Sequence, residues 1–238
     1  MTLADILASL FPNGHAVTVR DGLVLGSGPF DGGQVQVVGI DGDTPLGIEG
    51  ALALSRAVLD TIRVGERVPI LVTVDSDSQR MSRREELLGL NECLAHLAKA
   101  LLLADRSGHP TIGLIYGHSA AGAFIATALA TRVLAALPGA NPSVMDLPSV
   151  ARVTKLPLEK LQEMAKSTPV FAPGIDNMVA TGAVHAVLDP DTPLDRQIRE
   201  LIAGMPSGDV RDRLGEERGG RPVARDVAAA VADQARLG

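Results

Sequence analysis

Two short, almost uninterrupted apolar runs limit the fold more than any other feature of this chain. Pro69-Ile70-Leu71-Val72-Thr73-Val74 and Thr111-Ile112-Gly113-Leu114-Ile115-Tyr116 lack the polar/apolar alternation of a strand with one wet face. Strands without alternation are buried on both faces, as in parallel sheets covered by helices. Between the runs, Leu87, Leu90, Leu94, Leu97 and Leu101 recur at alternating spacings of three and four. That spacing places them on one helix face. Ser82 with Glu85 reads as a capping box, and Ser107-Gly108 with Pro110 as a stop, so one long helix is expected here. Strand, helix, strand, helix is the order of an α/β fold.

The remaining segments extend this pattern. Residues 2–10 read as a short amphipathic helix capped by Thr2. Asp21-Gly22 sits between two β-rich stretches at 16–25, a type I′ hairpin signal. Gly26-Ser27-Gly28 and Pro29 are read as ending that hairpin, and 34–40 as a third strand. A helix is expected at 48–63, another at about 123–130, and a third parallel strand at 132–137. Gly139-Ala140-Asn141-Pro142 reads as a turn. The last third is expected to hold helices at about 147–154, 157–167 and 193–204, a short strand at about 183–188, and a final helix at 226–237. No linker marks a second domain, so residues 1–238 are expected to form one domain. In the tail, 207–238, six basic and six acidic residues are interrupted by Gly215, Gly219, Gly220 and Pro222. Such a segment reads as a solvated face or a partner-docking element.

Composition excludes several functions. The net charge of −6 over 238 residues argues against a nucleic-acid surface, which needs a basic patch. Only 2% of residues are aromatic, too few for base or sugar stacking platforms. Cys93 is the single cysteine, so neither a disulfide framework nor a cysteine zinc site is expected. His15, His96, His109, His118 and His185 have no partners at metal-ligand spacing, and no metal is expected. No signal-peptide pattern opens the chain, and the apolar runs are broken before they reach bilayer length. A cytoplasmic protein without membrane contact is therefore expected.

Two segments carry candidate chemistry, both between the carboxyl end of a buried strand and a helix start. Ligands of open α/β sheets bind at such ends, where unpaired N–H groups are ready anion donors. In the second segment Gly117, Ala120, Ala121, Gly122 and Ala123 have almost no side chains. Small residues let a substrate carbonyl approach backbone N–H groups, as an oxyanion hole requires. Tight helix–strand packing selects the same residues. Gly117-His118-Ser119-Ala120-Ala121 is also one residue from a G-x-S-x-G nucleophile elbow. Asp176 and His185 follow Ser119 in the chain order of a hydrolase triad. The first segment, Asp75-Ser76-Asp77-Ser78-Gln79, leads into Arg80, Arg83 and Arg84. Arginines oppose the dipole at a helix start, which calls for an anionic partner or for surface salt bridges with Glu85, Glu86 or the loop aspartates. Asp75 and Asp77 read as a general acid/base pair or as loop caps. Tyr116, Cys93 and His96 read as packing residues. His118 reads as a substrate-orienting group or as a side chain hydrogen-bonded to local backbone. Gly26-x-Gly28 lacks the third glycine of a dinucleotide fingerprint.

The apolar strand followed by Gly117-His118-Ser119-Ala120-Ala121-Gly122-Ala123-Phe124-Ile125-Ala126 resembles the Gly-rich segment of acyl-CoA carboxyltransferase alpha halves, members of the crotonase-like superfamily. Val74-Asp75-Ser76-Asp77-Ser78-Gln79 resembles the loop after their preceding strand. The hairpin at 17–25, the segment from Asn141-Pro142-Ser143-Val144-Met145-Asp146 to Val153, and Phe171-Ala172-Pro173-Gly174-Ile175-Asp176-Asn177 resemble the gamma subunit family of biotin-independent malonate decarboxylase. The likeness runs through about residues 3–205.

This resemblance implies a crotonase-like fold: a spiral of ββα units with additional terminal helices. It implies a beta-subunit partner of the same superfamily, an acyl-carrier protein and an acyl-carrier protein transferase subunit. It implies decarboxylation of a malonyl thioester carried on a coenzyme-A-derived arm of the acyl-carrier protein, with no cofactor bound by this chain. Loss of CO₂ leaves an enolate, which preorganised N–H donors stabilise; one such donor typically contributes about 2.7–4 kcal/mol. The residues so marked are Ala121 and Gly122 through their N–H groups, with His118 and Ser119 beside them. Gly117, Ala120, Gln79, Ser78 and Arg80 are marked for substrate contact. Carboxyltransferase alpha halves carry more glycines where this chain has Ser119, Ala120 and Ala121. The alternatives are a biotin-dependent carboxyltransferase alpha subunit, a serine hydrolase using Ser119, and a non-catalytic scaffold.

Overall fold

The computed structural model describes residues 1–167 and 173–237; Phe171 and Ala172 lie outside them. Helix α1 (Leu3–Leu10) starts with a capping box in which Thr2 and Asp5 each accept the other's backbone N–H. Strands β1 (Thr18–Arg20), β2 (Leu23–Phe30) and β3 (Gly33–Ile40) form an antiparallel meander. Asp21 and Gly22 both have positive φ, 52° and 75°, as a type I′ turn requires. Asp31 and Gly32 repeat this between β2 and β3. Strand β2 does not end at Gly26, contrary to expectation. Its glycines are sites of close approach instead: a Cβ on Gly28 would lie 2.5 Å from the Phe11 ring.

The chain then crosses over through α2 (Ile48–Val64) to β4 (Ile70–Ser76), parallel to β3. The expected single helix is two, α3 (Arg83–Leu87) and α4 (Leu90–Arg106), broken at Gly89 with φ 82°. Leu90, Leu94, Leu97 and Leu101 are buried as their spacing requires, while Leu87, ahead of the break, is exposed. Only half of the capping box forms. Ser82 Oγ accepts from Glu85 N–H at 3.2 Å, but the buried Glu85 carboxylate accepts from Ile48 N–H at 2.8 Å. Glu85 thereby caps α2, whose own N-cap, Gly47, has no side chain to do so.

Strand β5 (Thr111–Ala120) follows, then α5 (Ala121–Ala126), a single 3₁₀ turn at Ala128–Ala130, and β6 (Val133–Ala136). Next come β7 (Asn141–Ser143), α6 (Leu147–Thr154), α7 (Leu158–Ser167), α8 (Ile175–Ala180), β8 (Ala186–Val187), α9 (Leu194–Ala203), α10 (Arg211–Glu217) and α11 (Ala224–Leu237). The main sheet runs β1-β2-β3-β4-β5-β6-β8, parallel from β3 onward. Both faces are covered. Ile70, Val72 and Val74 join α2, α4 and α5 in one core, while Leu71, Ile112 and Leu114 join α1 and α9 in a second. This accounts for the unalternating apolar runs.

Beyond the main ladder a second row of parallel pairings forms. Leu46 bridges Gln79, Ser76 pairs with Ser119 after a register shift at Val74, and His118–Ala120 pair with Asn141–Ser143. Each long strand thus continues into a short second piece before its helix, which makes a ββα unit. The segment expected to be a turn at 139–142 contains part of the third short piece, β7, because Asn141 and Pro142 pair with the end of β5.

The tail divides in two. Arg218 donates to the carbonyls of Val179, Val184 and His185, and Arg211 to that of Thr131, which docks α10. A Cβ on Gly220 would lie 2.2 Å from Ala180 O. Residues 225–236 of α11 are exposed.

Candidate active site

Three turns meet where β3, β4 and β5 leave the main ladder: residues 41–47, 75–80 and 117–122. Ligands bind at these carboxyl ends in open α/β sheets. Side chains and backbone tie the turns together. Tyr116 Oη donates to Asp41 Oδ1 at 2.7 Å and sits 3.2 Å from Ile40 O. Burial, reinforced by the Asp41 carboxylate, pushes the Tyr116 phenol well above its ordinary pKa. Ser76 Oγ donates to Thr44 O at 2.9 Å. Leu46 N–H donates to Ser78 O and Arg80 N–H to Leu46 O, each at 2.8 Å.

The junction between β5 and α5 is built around bare backbone. A Cβ on Gly117 would lie 2.1 Å from Asp75 Oδ1, and that oxygen accepts from His118 N–H at 2.9 Å. Gln79 Oε1 accepts from Gly122 N–H at 2.8 Å, capping a helix whose N-cap, Ala120, has no side chain to do so. The space beside Gly117 and Gly122 is therefore occupied by the protein's own side chains. Ala121 has φ 50°, a left-handed conformation that costs a non-glycine residue energy and recurs at functional junctions.

Ser119 does not line the junction. It is fully buried, and its Oγ has no hydrogen-bond partner among the described residues. His185 Nδ1 accepts from Leu134 N–H at 3.2 Å, and burial, with Arg211 nearby, pulls its pKa down to about 4. Asp176 lies in the first turn of α8. Among the described residues neither Ser119 Oγ nor His185 Nε2 has a hydrogen-bond partner, and the strained φ falls on Ala121, two residues past the position of an elbow nucleophile. These features oppose the hydrolase reading.

His118 is half-buried, and its Nδ1 lies 3.0 Å from Asp43 Oδ1 and 4.0 Å from Asp77 Oδ1. One ligand-type atom from each of these three side chains lies within 4.8 Å of the others. Spacing in the sequence could not show this trio, because Asp43 and His118 are 75 positions apart. Asp43 is the residue that sequence reasoning missed. Its one local signal is the Asp-Gly-Asp turn at 41–43, where Gly42 and Asp43 have φ 70° and 53°. Asp75 and Asp77 do not act as a pair: one braces the β5 turn, the other faces His118.

The other marked residues are spread around this centre. Ser78 Oγ donates to Gln79 O at 3.1 Å, and Ala120 is half-buried at the end of β5. The Arg80 guanidinium packs against Gly47 at the start of α2. There it lines a cavity of about 290 Å³ with Thr44, Leu46 and Gly50. Arg84 pairs with Glu49 and Glu85, so it takes the surface salt-bridge role. Cys93 packs against the core, whereas His96 is exposed. Among the described residues no helix is long and apolar enough to cross a membrane.

The chain is similar in sequence and in fold to known proteins. The malonyl-S-ACP:biotin-protein carboxyltransferase of Malonomonas rubra is 31% identical over 209 residues, covering 79% of this chain and 72% of its own length. A Pseudomonas malonate decarboxylase hetero-tetramer in complex with coenzyme A superposes with TM-score 0.79 at 25% identity, covering 100% of this chain and 99% of the matched one. A chain of a Pseudomonas malonate decarboxylase hetero-dimer superposes with TM-score 0.75 at 26% identity, covering 98% and 97%. The transcarboxylase 12S core, at 18% identity and TM-score 0.70 over 87% of this chain and 42% of that one, shares the fold. The architecture is the crotonase-like one of these carboxyltransferases and decarboxylase subunits. Residues 42–235 match the family described as malonate decarboxylase gamma subunit, and the chain belongs to that family.

Proposed function

We propose that this chain works with a beta subunit of the same fold to convert malonyl-S-acyl-carrier protein to acetyl-S-acyl-carrier protein and CO₂. The carrier's arm is the coenzyme-A-derived group, an acyl-carrier protein transferase subunit loads it, and the work is cytoplasmic. The observation that carries this reading is the β5–α5 junction: backbone N–H groups beside a half-exposed histidine, with the one serine of the turn buried. Such a site suits chemistry that needs charge stabilisation and a proton but no covalent intermediate.

The carboxylate carbon leaves as CO₂, and its bonding pair moves into the thioester as an enolate. Backbone N–H groups of Ala121 and Gly122 receive the charged oxygen. Gln79 Oε1, a carbonyl-type oxygen 2.8 Å from Gly122 N, stands where that oxygen would sit, and the substrate displaces it. Donors aimed at charge that develops only in the transition state accelerate the step. His118 then protonates the enolate carbon. Gly117, Ala120, Ser78 and Arg80 lie along the approach.

The test is CO₂ release from a malonyl thioester by the chain co-purified with its beta subunit, without biotin. Release that requires both subunits supports the reading. The Malonomonas rubra relative favours a second one, in which the carboxyl group passes to a biotin-protein. Turnover that appears only when a biotin-protein acceptor is added would establish it instead.

A further inference from the structure

The ring of a histidine has two nitrogens, and the bond made by one decides what the other can do. In His118, Nδ1 lies 3.0 Å from Asp43 Oδ1, within hydrogen-bonding range, while Asp77 Oδ1 at 4.0 Å lies outside it. An ionised carboxylate only accepts, so Nδ1 carries the hydrogen of this bond. Nε2 has no partner among the described residues.

Both ends of the pair are fixed from behind. Under the ring, the His118 backbone N–H is bonded to Asp75. The Asp43 turn is held by Tyr116 on Asp41, by Thr44 Oγ1 on Asp41 O at 2.7 Å, and by Ser76 on Thr44 O. Asp43 itself has φ 53°, a conformation that Asp and Asn tolerate better than other non-glycine residues.

We propose that Asp43 is a positioning residue: it holds the Nδ1 hydrogen of His118 and so reserves Nε2 for the proton delivered to substrate. This rests on the reading of His118 as the proton donor. In the step itself the C–CO₂⁻ bond breaks and CO₂ departs with the enolate holding the pair. The enolate carbon then takes the Nε2 proton. The ring is left neutral with Nδ1–H on Asp43, and it regains a proton from solvent.

The experiment uses the complex of this chain with its beta subunit and compares Asp43→Asn, His118→Gln and the double variant. Asn suits the left-handed turn, so folding and assembly are preserved while the carboxylate is lost. The expected result is kcat lowered about tenfold or more in Asp43→Asn, with KM and melting temperature unchanged and no further loss when the substitution is added to His118→Gln. In ¹⁵N spectra, the His118 ring should carry Nδ1–H in the parent and lose that preference in Asp43→Asn. If kcat falls in His118→Gln but stays at the parent value in Asp43→Asn, or if the two losses multiply, the positioning role is overturned. If kcat is unchanged in His118→Gln, the donor reading fails, and the role of Asp43 with it.

Discussion

The junctions after β4 and β5 occupy equivalent places in successive ββα units, yet they are made of opposite materials. Residues 75–80 all carry polar side chains: Asp75, Ser76, Asp77, Ser78, Gln79 and Arg80. Residues 117–122 are nearly bare backbone apart from His118 and a buried Ser119. The first completes the second. Asp75 fills the space beside Gly117 and holds His118 N–H, and Gln79 takes the N–H of Gly122. Bare backbone at this strand end is thus required by the protein's own packing, and side chains of the neighbouring turn hold the N–H groups of His118 and Gly122.

This complementarity can be broken one contact at a time. The largest effect is expected at Gly117. In Gly117→Ala the new methyl would lie 2.1 Å from Asp75 Oδ1. Overpacking of this kind costs about 3 kcal/mol, visible as a lower denaturation midpoint, and Asp75→Gly in the same chain should recover part of it. A melting curve unchanged by Gly117→Ala would mean that Asp75 is not seated there. Next comes Gly122→Val, whose side chain meets Gln79 and Leu94 at 3.0–3.2 Å. A loss of about 2 kcal/mol should accompany lost turnover, so turnover must be assayed where the complex is still folded. Full turnover would remove Gly122 from the site.

Gln79→Ala removes the side-chain cap of α5 and should lower stability by about 1 kcal/mol. Equal stability in urea denaturation would show that the cap is replaced by water. The smallest change is expected for Ser119→Ala. It deletes a buried hydroxyl with no partner among the described residues, so stability should hold or rise by up to about 1 kcal/mol with kcat near the parent value. Abolished turnover in a folded, assembled Ser119→Ala complex would restore the nucleophile reading.

Much of the fold was legible because periodic burial and turn chemistry are written locally. The I′ turn at Asp21-Gly22, the capped helix at the N-terminus, both unalternating strands and the Leu90–Leu101 face all appear where their patterns place them. The break at Gly89 was hidden by the regular leucine spacing, and Leu87 fell on the wrong side of it. The extension of β2 past Gly26 was hidden because glycine marks a turn and a close approach equally well. In the site, Gln79 and Gly122 were both marked, but their bond to each other was not. Ser119 was drawn in by a near-motif, whereas its burial comes from pairing with Ser76 and Pro142 on neighbouring pieces.

By itself, then, the sequence determined the doubly covered parallel sheet, most of its helices, and a resemblance that named the family to which the chain belongs. These depend on neighbours within a few positions, where side-chain periodicity and φ preferences decide. The tertiary structure alone decided which group serves which. Glu85 caps α2 instead of its own helix, Asp75 fits against Gly117, and Asp43 meets His118 across 75 positions. Such pairings depend on how loops from different units stack at the sheet's edge, and an aspartate in a turn has the same local sequence whether it faces water or a histidine.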